Sequence, residues 1–185
     1  HTQRRRQRQM CIRDRLKEPE KVFSDVTHII ASIPPSEIGE IALLLHSDEL
    51  RDAASLTWVN YLSTPAVYGD RSGGVASEFD EPTPTSKRGE RRLAAERAWI
   101  DTFSDTRVSV QIMRIAGIYG PGRSVIEQVA AGRARIIEKE GQVFNRIHVD
   151  DIGTSLIASM LRPNDKRIYL SLIHISSPRD GIGSR

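Results

Sequence analysis

Apolar runs of strand length alternate with stretches of helical spacing through the middle of this chain, and that alternation leaves few folds open to it. Val26–Ile33 is a continuous apolar-rich run closed by Pro34-Pro35; Trp58–Ser63 and Val108–Arg114 are two more. Runs that are apolar on both faces are what buried parallel strands require. Between them, Ile38–Leu45 and Leu50–Leu56 suit helical segments. Lys87–Phe103 places Ala95, Trp99 and Phe103 at i, i+4 and i+8, one face of a helix. The pattern predicts an α/β fold, a doubly wound parallel sheet with helices on both faces.

The connecting segments fill in the order. Residues 69–86 are rich in Gly, Ser, Pro, Asp and Glu and read as a long loop. Val125–Ala131 suits a short helix, and Arg135–Ile137 and Val143–Ile147 suit short strands around Gly141. Asp150 or Asp151 is placed to cap a last helix whose apolar stripe is Ile152, Leu156 and Met160. There is no internal repeat.

The two ends follow different rules. Residues 1–15 run His-Thr-Gln-Arg-Arg-Arg-Gln-Arg-Gln-Met-Cys-Ile-Arg-Asp-Arg, with no hydrophobic period. The tail Leu-Ser-Leu-Ile-His-Ile-Ser-Ser-Pro-Arg, 170–179, follows Ile168-Tyr169 without a turn signal. Both resemble translated sequencing-adapter read-through, a contaminant of assembled metagenomic reads. Three segments are therefore expected: a non-native arm over 1–15, a partial domain over 16–169, and a non-native tail over 170–185. The alternative for the front is a basic arm that binds nucleic acid.

Setting the ends aside changes the charge. The whole chain of 185 residues has a formal net charge of +3 from 27 basic and 24 acidic residues. Residues 1–15 hold six Arg and one Asp, and 170–185 hold two Arg and one Asp, which leaves 19 basic and 22 acidic residues, net −3, in 16–169. The basic excess belongs to the ends, so no nucleic-acid partner is expected. The single cysteine, Cys11, lies in the arm, which leaves 16–169 without disulfides or cysteine-based zinc sites. His28, His46 and His148 are scattered without metal-ligand spacing. No stretch reaches the roughly 18 apolar residues of a membrane span, and a cytoplasmic protein is expected.

Three blocks carry the chemistry. They are Tyr-Leu-Ser-Thr-Pro-Ala-Val-Tyr-Gly-Asp (61–70), Arg-Ile-Ala-Gly-Ile-Tyr-Gly-Pro-Gly-Arg (114–123) and Arg-Ile-His-Val-Asp-Asp (146–151). Each is an apolar run that breaks into a turn or a helix start, and open α/β sheets bind ligands at that strand-end edge. Their order and spacing resemble the extended short-chain dehydrogenase/reductase family, the NAD(P)-binding epimerases and dehydratases. The resemblance implies a partial Rossmann-like domain. Its first βαβ units, with the Gly-x-x-Gly-x-x-Gly phosphate turn, are expected before residue 16, and no such motif occurs in the chain.

The resemblance also assigns positions. Thr64, three residues before Val67-Tyr68-Gly69, stands where the family orients the substrate oxygen. Ser32, Ile33 and Pro34, with Ile115 and Ala116, stand where backbone meets the cofactor, NAD or NADP. Gly117 replaces an asparagine that many nucleotide-sugar enzymes place on substrate, and Arg123 in Pro-Gly-Arg-Ser is placed to meet a substrate anion, a solvated loop arginine being the competing reading. Aligning Glu96 with the family's acid puts Arg92 at the lysine and Arg88 at the tyrosine of Tyr-x-x-x-Lys. No tyrosine occurs between Tyr68 and Tyr119. Arginine stays protonated and cannot replace the proton donor. It can clamp an anion, and Arg88 and Arg92 share one helix face; a solvated basic stripe is the competing reading.

His148 reads as a strand-end core histidine. Phe144 stands where many members have a diphosphate-holding arginine, and Arg146 lies two residues on. Together the expectations are an atypical member acting as an NAD(P)-dependent oxidoreductase or epimerase-like protein, on a small and anionic substrate, inactive as this piece alone. The alternative is a non-catalytic NAD(P)-binding sensor or scaffold. Substrate, NAD against NADP, and oligomeric state stay open.

Overall fold

The computed structural model describes residues 15–132, 144–163, 167–171 and 173–175. In chain order the elements are α1 (Pro19–Phe23), β1 (His28–Ala31), α2 (Ile41–Arg51), β2 (Trp58–Ser63), a 3₁₀ turn (Pro65–Tyr68), α3 (Lys87–Thr102), β3 (Ser109–Ile115), β4 (Gly117–Tyr119), α4 (Val125–Ala130), β5 (Phe144–His148), α5 (Val149–Leu161), β6 (Ile168–Ser171) and β7 (Ile173–Ile175). The main sheet runs β1-β2-β3-β6 with every pair parallel. A smaller sheet has β4 parallel to β5 and β7 antiparallel to β5.

Alternation along the central strands sends residues to two helical layers. Val59 and Tyr61 of β2, with Val110 and Ile112 of β3, join Leu43 and Leu50 of α2 and Ala95 and Trp99 of α3 in one apolar cluster. Tyr61, Trp99 and Phe103 stack in sequence, with ring centroids 6.3 and 6.2 Å apart. On the other face Met113 and Ile115 meet Ile147 of β5 and Ile152 of α5. Gln111 links the same face to Ser159 of α5 and accepts from Trp58 Nε1 at 3.0 Å. The architecture is a partial Rossmann-like sheet covered on both faces.

The strand expected over 58–63 and the buried stripe Ala95, Trp99, Phe103 are found as read. Other details differ. The two helical segments expected around 38–56 form one element, α2, kinked at His46, where φ is −141°. Residues 52–56 leave the helix. The last helix is capped by His148, whose side chain accepts from Asp150 N at 3.3 Å, while Asp150 and Asp151 sit in its first turn. Carboxylates there still meet the positive end of the helix dipole. The segments α1 and β4 are too short to show a period in the sequence.

Strand β6 crosses the boundary expected between 169 and 170, since Leu170 and Ser171 pair with Arg114 and Ile115. Residues 1–14, Arg135–Ile137 and 176–185 lie outside the described residues. Arg15 is described, and it pairs with Glu49 of α2.

Candidate functional site

The parallel strands β2 and β3 end side by side, with Ser63 opposite Arg114. Past those ends lies a cavity of about 490 Å³. Its walls are Ser32 after β1; Leu62 to Ala66 at the end of β2; Arg88 and Arg92 of α3; Ile115 to Ile118 after β3; Arg123; and Asn145 of β5.

Local chemistry shapes each wall. Thr64 has extended backbone and caps the 3₁₀ turn, its Oγ1 accepting from Ala66 N at 3.4 Å. That contact uses a lone pair and leaves the hydroxyl proton for a ligand. Pro65 follows at the first position of the turn, where no backbone donor is needed. Ser86 caps α3, accepting from Gly89 N at 3.1 Å. Gly89 then lies against the turn, where a Cβ would stand 2.5 Å from the Ala66 carbonyl oxygen. This close approach holds the first turn of α3 across the end of β2. Arg88 and Arg92 thereby face the cavity one helical turn apart.

The two arginines are held differently. Arg88 is exposed. Arg92 is 9% exposed; its Nη1 donates to the Tyr61 hydroxyl at 3.0 Å and the Leu62 carbonyl at 2.9 Å. Its guanidinium also lies 5.7 Å from the Tyr61 ring centroid. Burial pushes the Tyr61 phenol up, against the pull of the Arg92 charge. Burial likewise raises Tyr68 against its contact with Arg114. Both phenols stay protonated near neutrality, and no tyrosine lines this cavity. Neither one lies on α3, where the resemblance expects a tyrosine.

Sequence reading did not foresee the polar network behind the cavity. Ser63 Oγ donates to Glu96 Oε1 at 2.5 Å. Arg114 grips the same carboxylate twice, Nε to Oε1 at 3.1 Å and Nη2 to Oε2 at 2.7 Å, and donates from Nη1 to the Tyr68 hydroxyl at 2.6 Å. Burial opposes the charge on Arg114, but its bonds to Glu96 prevail and raise its pKa. The available signal was one acid on the apolar stripe of α3 and one arginine inside an apolar run.

Of the residues singled out from sequence, Ser32, Thr64, Arg88, Arg92, Ile115, Ala116, Gly117 and Arg123 line one cavity. Ile33 and Pro34 follow Ser32 on an exposed segment and are not among its walls. At Gly117 an added Cβ would collide with Arg146 Nη1 and stand 3.1 Å from the Asn145 carbonyl oxygen, so a side chain there requires the Arg146 side chain to move. His148 is outside the cavity walls; it caps α5 and makes an edge contact with Tyr119, ring centroids 5.1 Å apart. Among the described residues no cluster of three or more His, Cys, Asp or Glu could hold a metal ion, and no helix is long and apolar enough to cross a membrane.

No family model matches the chain. Protein YeeZ of Escherichia coli K12 is 28% identical over 150 residues, 78% of this chain and 52% of that protein. A structure of a functionally unknown conserved protein from Silicibacter pomeroyi DSS is 41% identical with a TM-score of 0.76, covering 84% of this chain and 55% of that one. UDP-glucuronic acid 4-epimerase from Bacillus cereus, in complex with NAD, superposes with a TM-score of 0.66 at 21% identity, over 87% of this chain and 58% of that one. The chain has the fold of the NAD-dependent epimerases. The resemblance to the extended short-chain dehydrogenase/reductase family, read from the three blocks, stands. The chain spans about half the length of the curated relative it matches.

Proposed function

We propose that this chain is the substrate-side part of an NAD(P)-dependent oxidoreductase or epimerase-like protein of the atypical short-chain dehydrogenase type. One observation carries the reading. The ends of parallel strands bring Ser32, Thr64, Arg88, Arg92, Ile115 and Ala116 to one cavity. In a doubly wound sheet that position is the ligand crevice.

The residues present fit the nicotinamide end of a dinucleotide. Ser32, Ser63, Ala116 and Gly117 present backbone and small side chains there, which leaves space for a flat ring. When bound, such a cofactor supplies or accepts hydride. Thr64 offers a hydroxyl to the substrate oxygen. Arg88 and Arg92 attract an anionic part of the substrate and stay charged at every working pH. The proton of any reduction must then come from Thr64, water or the substrate. The piece alone is inactive in this reading, because no glycine-rich turn cradles the pyrophosphate.

A second reading, a non-catalytic NAD(P)-binding sensor or scaffold, is favoured by the tyrosine-free cavity wall. A restored-length protein separates the two. Wild type, Thr64→Ala and Arg88→Ala/Arg92→Ala are assayed for cofactor binding, ligand binding and turnover with NAD(P)H. Turnover lost in Thr64→Ala supports the enzyme. Ligand affinity lost only in the arginine variant, with no turnover in any form, supports the sensor. Unchanged affinity and turnover in both variants would remove these residues from the site.

A further inference from the structure

We infer that the cavity takes a small carboxylate bearing an oxygen on the neighbouring carbon, a 2-hydroxy- or 2-oxo-acid, with Arg92 as the partner of the carboxylate. The inference deepens the proposed reading by naming its substrate class, and it rests on that reading only for the conclusion that the ligand reacts.

The arginines of the chain divide by location. Arg15, Arg51, Arg71, Arg91 and Arg114 each pair with a carboxylate. Arg88, Arg92 and Arg123 line the cavity, and none of the three makes an ion pair among the described residues. No Asp or Glu lines the cavity either. Arg92 is the informative one, because it is buried, and the buried carboxylate that feels its charge, Glu40, forms neither an ion pair nor a hydrogen bond with it. Its Nη1 is already used by Tyr61 and Leu62. The Nε–Nη2 edge has no hydrogen-bond partner among the described residues, and that edge is the fork that grips a carboxylate through two parallel bonds.

Charge and position narrow the ligand further. One desolvated guanidinium balances one carboxylate. A phosphate dianion would leave its second charge to Arg88 and Arg123, which are exposed and screened by solvent. Arg92 is tied to the Leu62 carbonyl, two residues before Thr64, so the fork and the Thr64 hydroxyl share the end of β2. An acid held on the fork therefore presents its neighbouring oxygen to Thr64.

The test uses this chain without dinucleotide. Sodium lactate, sodium propionate and inorganic phosphate are titrated into it and followed by NMR chemical shifts of the arginine side chains. Lactate should bind most tightly and shift Arg92. Arg92→Lys, which keeps the charge and loses the fork, should weaken lactate binding about tenfold. Arg97→Lys, an exposed site on the same helix, should leave it unchanged. Phosphate binding as tight as lactate, no shift at Arg92, or equal affinity in Arg92→Lys overturns the inference. Should Arg92→Lys fail to fold by circular dichroism, Thr64→Val decides: it should erase the preference for lactate over propionate, and a preserved preference overturns the inference. Lactate binding here, with no dinucleotide binding in a restored-length protein, would sink the proposed function alone.

Discussion

Glu96 and Arg114 carry opposite charges into surroundings that are otherwise apolar, with side chains 3% and 1% exposed. Paired ions in such a place contribute little net stability, but removing one partner strands the other. Arg114→Met should therefore cost about 3–5 kcal/mol in urea denaturation, and the added change Glu96→Gln should recover much of that loss. Strictly additive losses would show that the two groups do not act as a pair. Glu40 poses the opposite problem. It is 4% exposed, its Oε2 has no hydrogen-bond partner, and burial raises its pKa against the weaker pull of Ala42 N and Arg92. The fold thus favours the protonated carboxyl. That contribution is complete below the ordinary glutamate range and is lost as pH rises through the raised value. Glu40→Gln should melt higher than wild type at about pH 8, with the gap closing by about pH 4. A gap that widens toward acid would contradict this sign.

Helix α3 shows how local rules reverse in context. Glycine inside a helix normally costs about 1 kcal/mol against alanine, so Gly89→Ala should stabilise an isolated helix. Here an added Cβ would stand 2.5 Å from the Ala66 carbonyl oxygen and 3.0 Å from Pro84 Cβ. Backbone cannot yield as a flexible side chain does. The substitution should destabilise the chain by about 1–3 kcal/mol in thermal or urea unfolding. A stabilised variant would mean that α3 does not rest on the 3₁₀ turn. The same helix shows what the sequence carried. Its span and its stripe of Ala95, Trp99 and Phe103 were readable, because burial on a helix leaves a 3.6-residue period. So was β2, because both its faces are buried. The contact of Gly89 with Ala66 was not readable, since it joins residues 23 apart through backbone that leaves no pattern. Arg92 could be placed on the cavity side only by resemblance. Its burial and its tie to Tyr61 belong to tertiary packing. The cap of α5 by His148 was missed because Asp150 and Asp151 are the commoner caps.

At the scale of the whole molecule, the main sheet of the described residues ends in β1 on one side and β6 on the other. The strands β2 and β3 are flanked on both edges and form the core, while β1 pairs with no other described strand on its outer edge. Ile30 and Ile33, beside that edge, are 46% and 49% exposed. A dinucleotide lies across such a sheet, with its nicotinamide over one set of strand ends and its pyrophosphate on a helix N-terminus beyond the switch point. In the proposed function the described cavity offers the first of these grips. For the second, the sequence has no glycine-rich turn, and without the backbone N–H groups of that turn most of the charge-assisted binding energy is missing. The chain should therefore bind neither NAD nor NADP tightly. Calorimetric titration with each cofactor at micromolar protein should give little heat. A restored-length protein should bind at least one of them, and Ala116→Trp, which fills the cavity wall at the nicotinamide end, should weaken that binding. Submicromolar affinity in the chain alone would place the phosphate grip elsewhere and overturn the assignment of these strand ends to the nicotinamide.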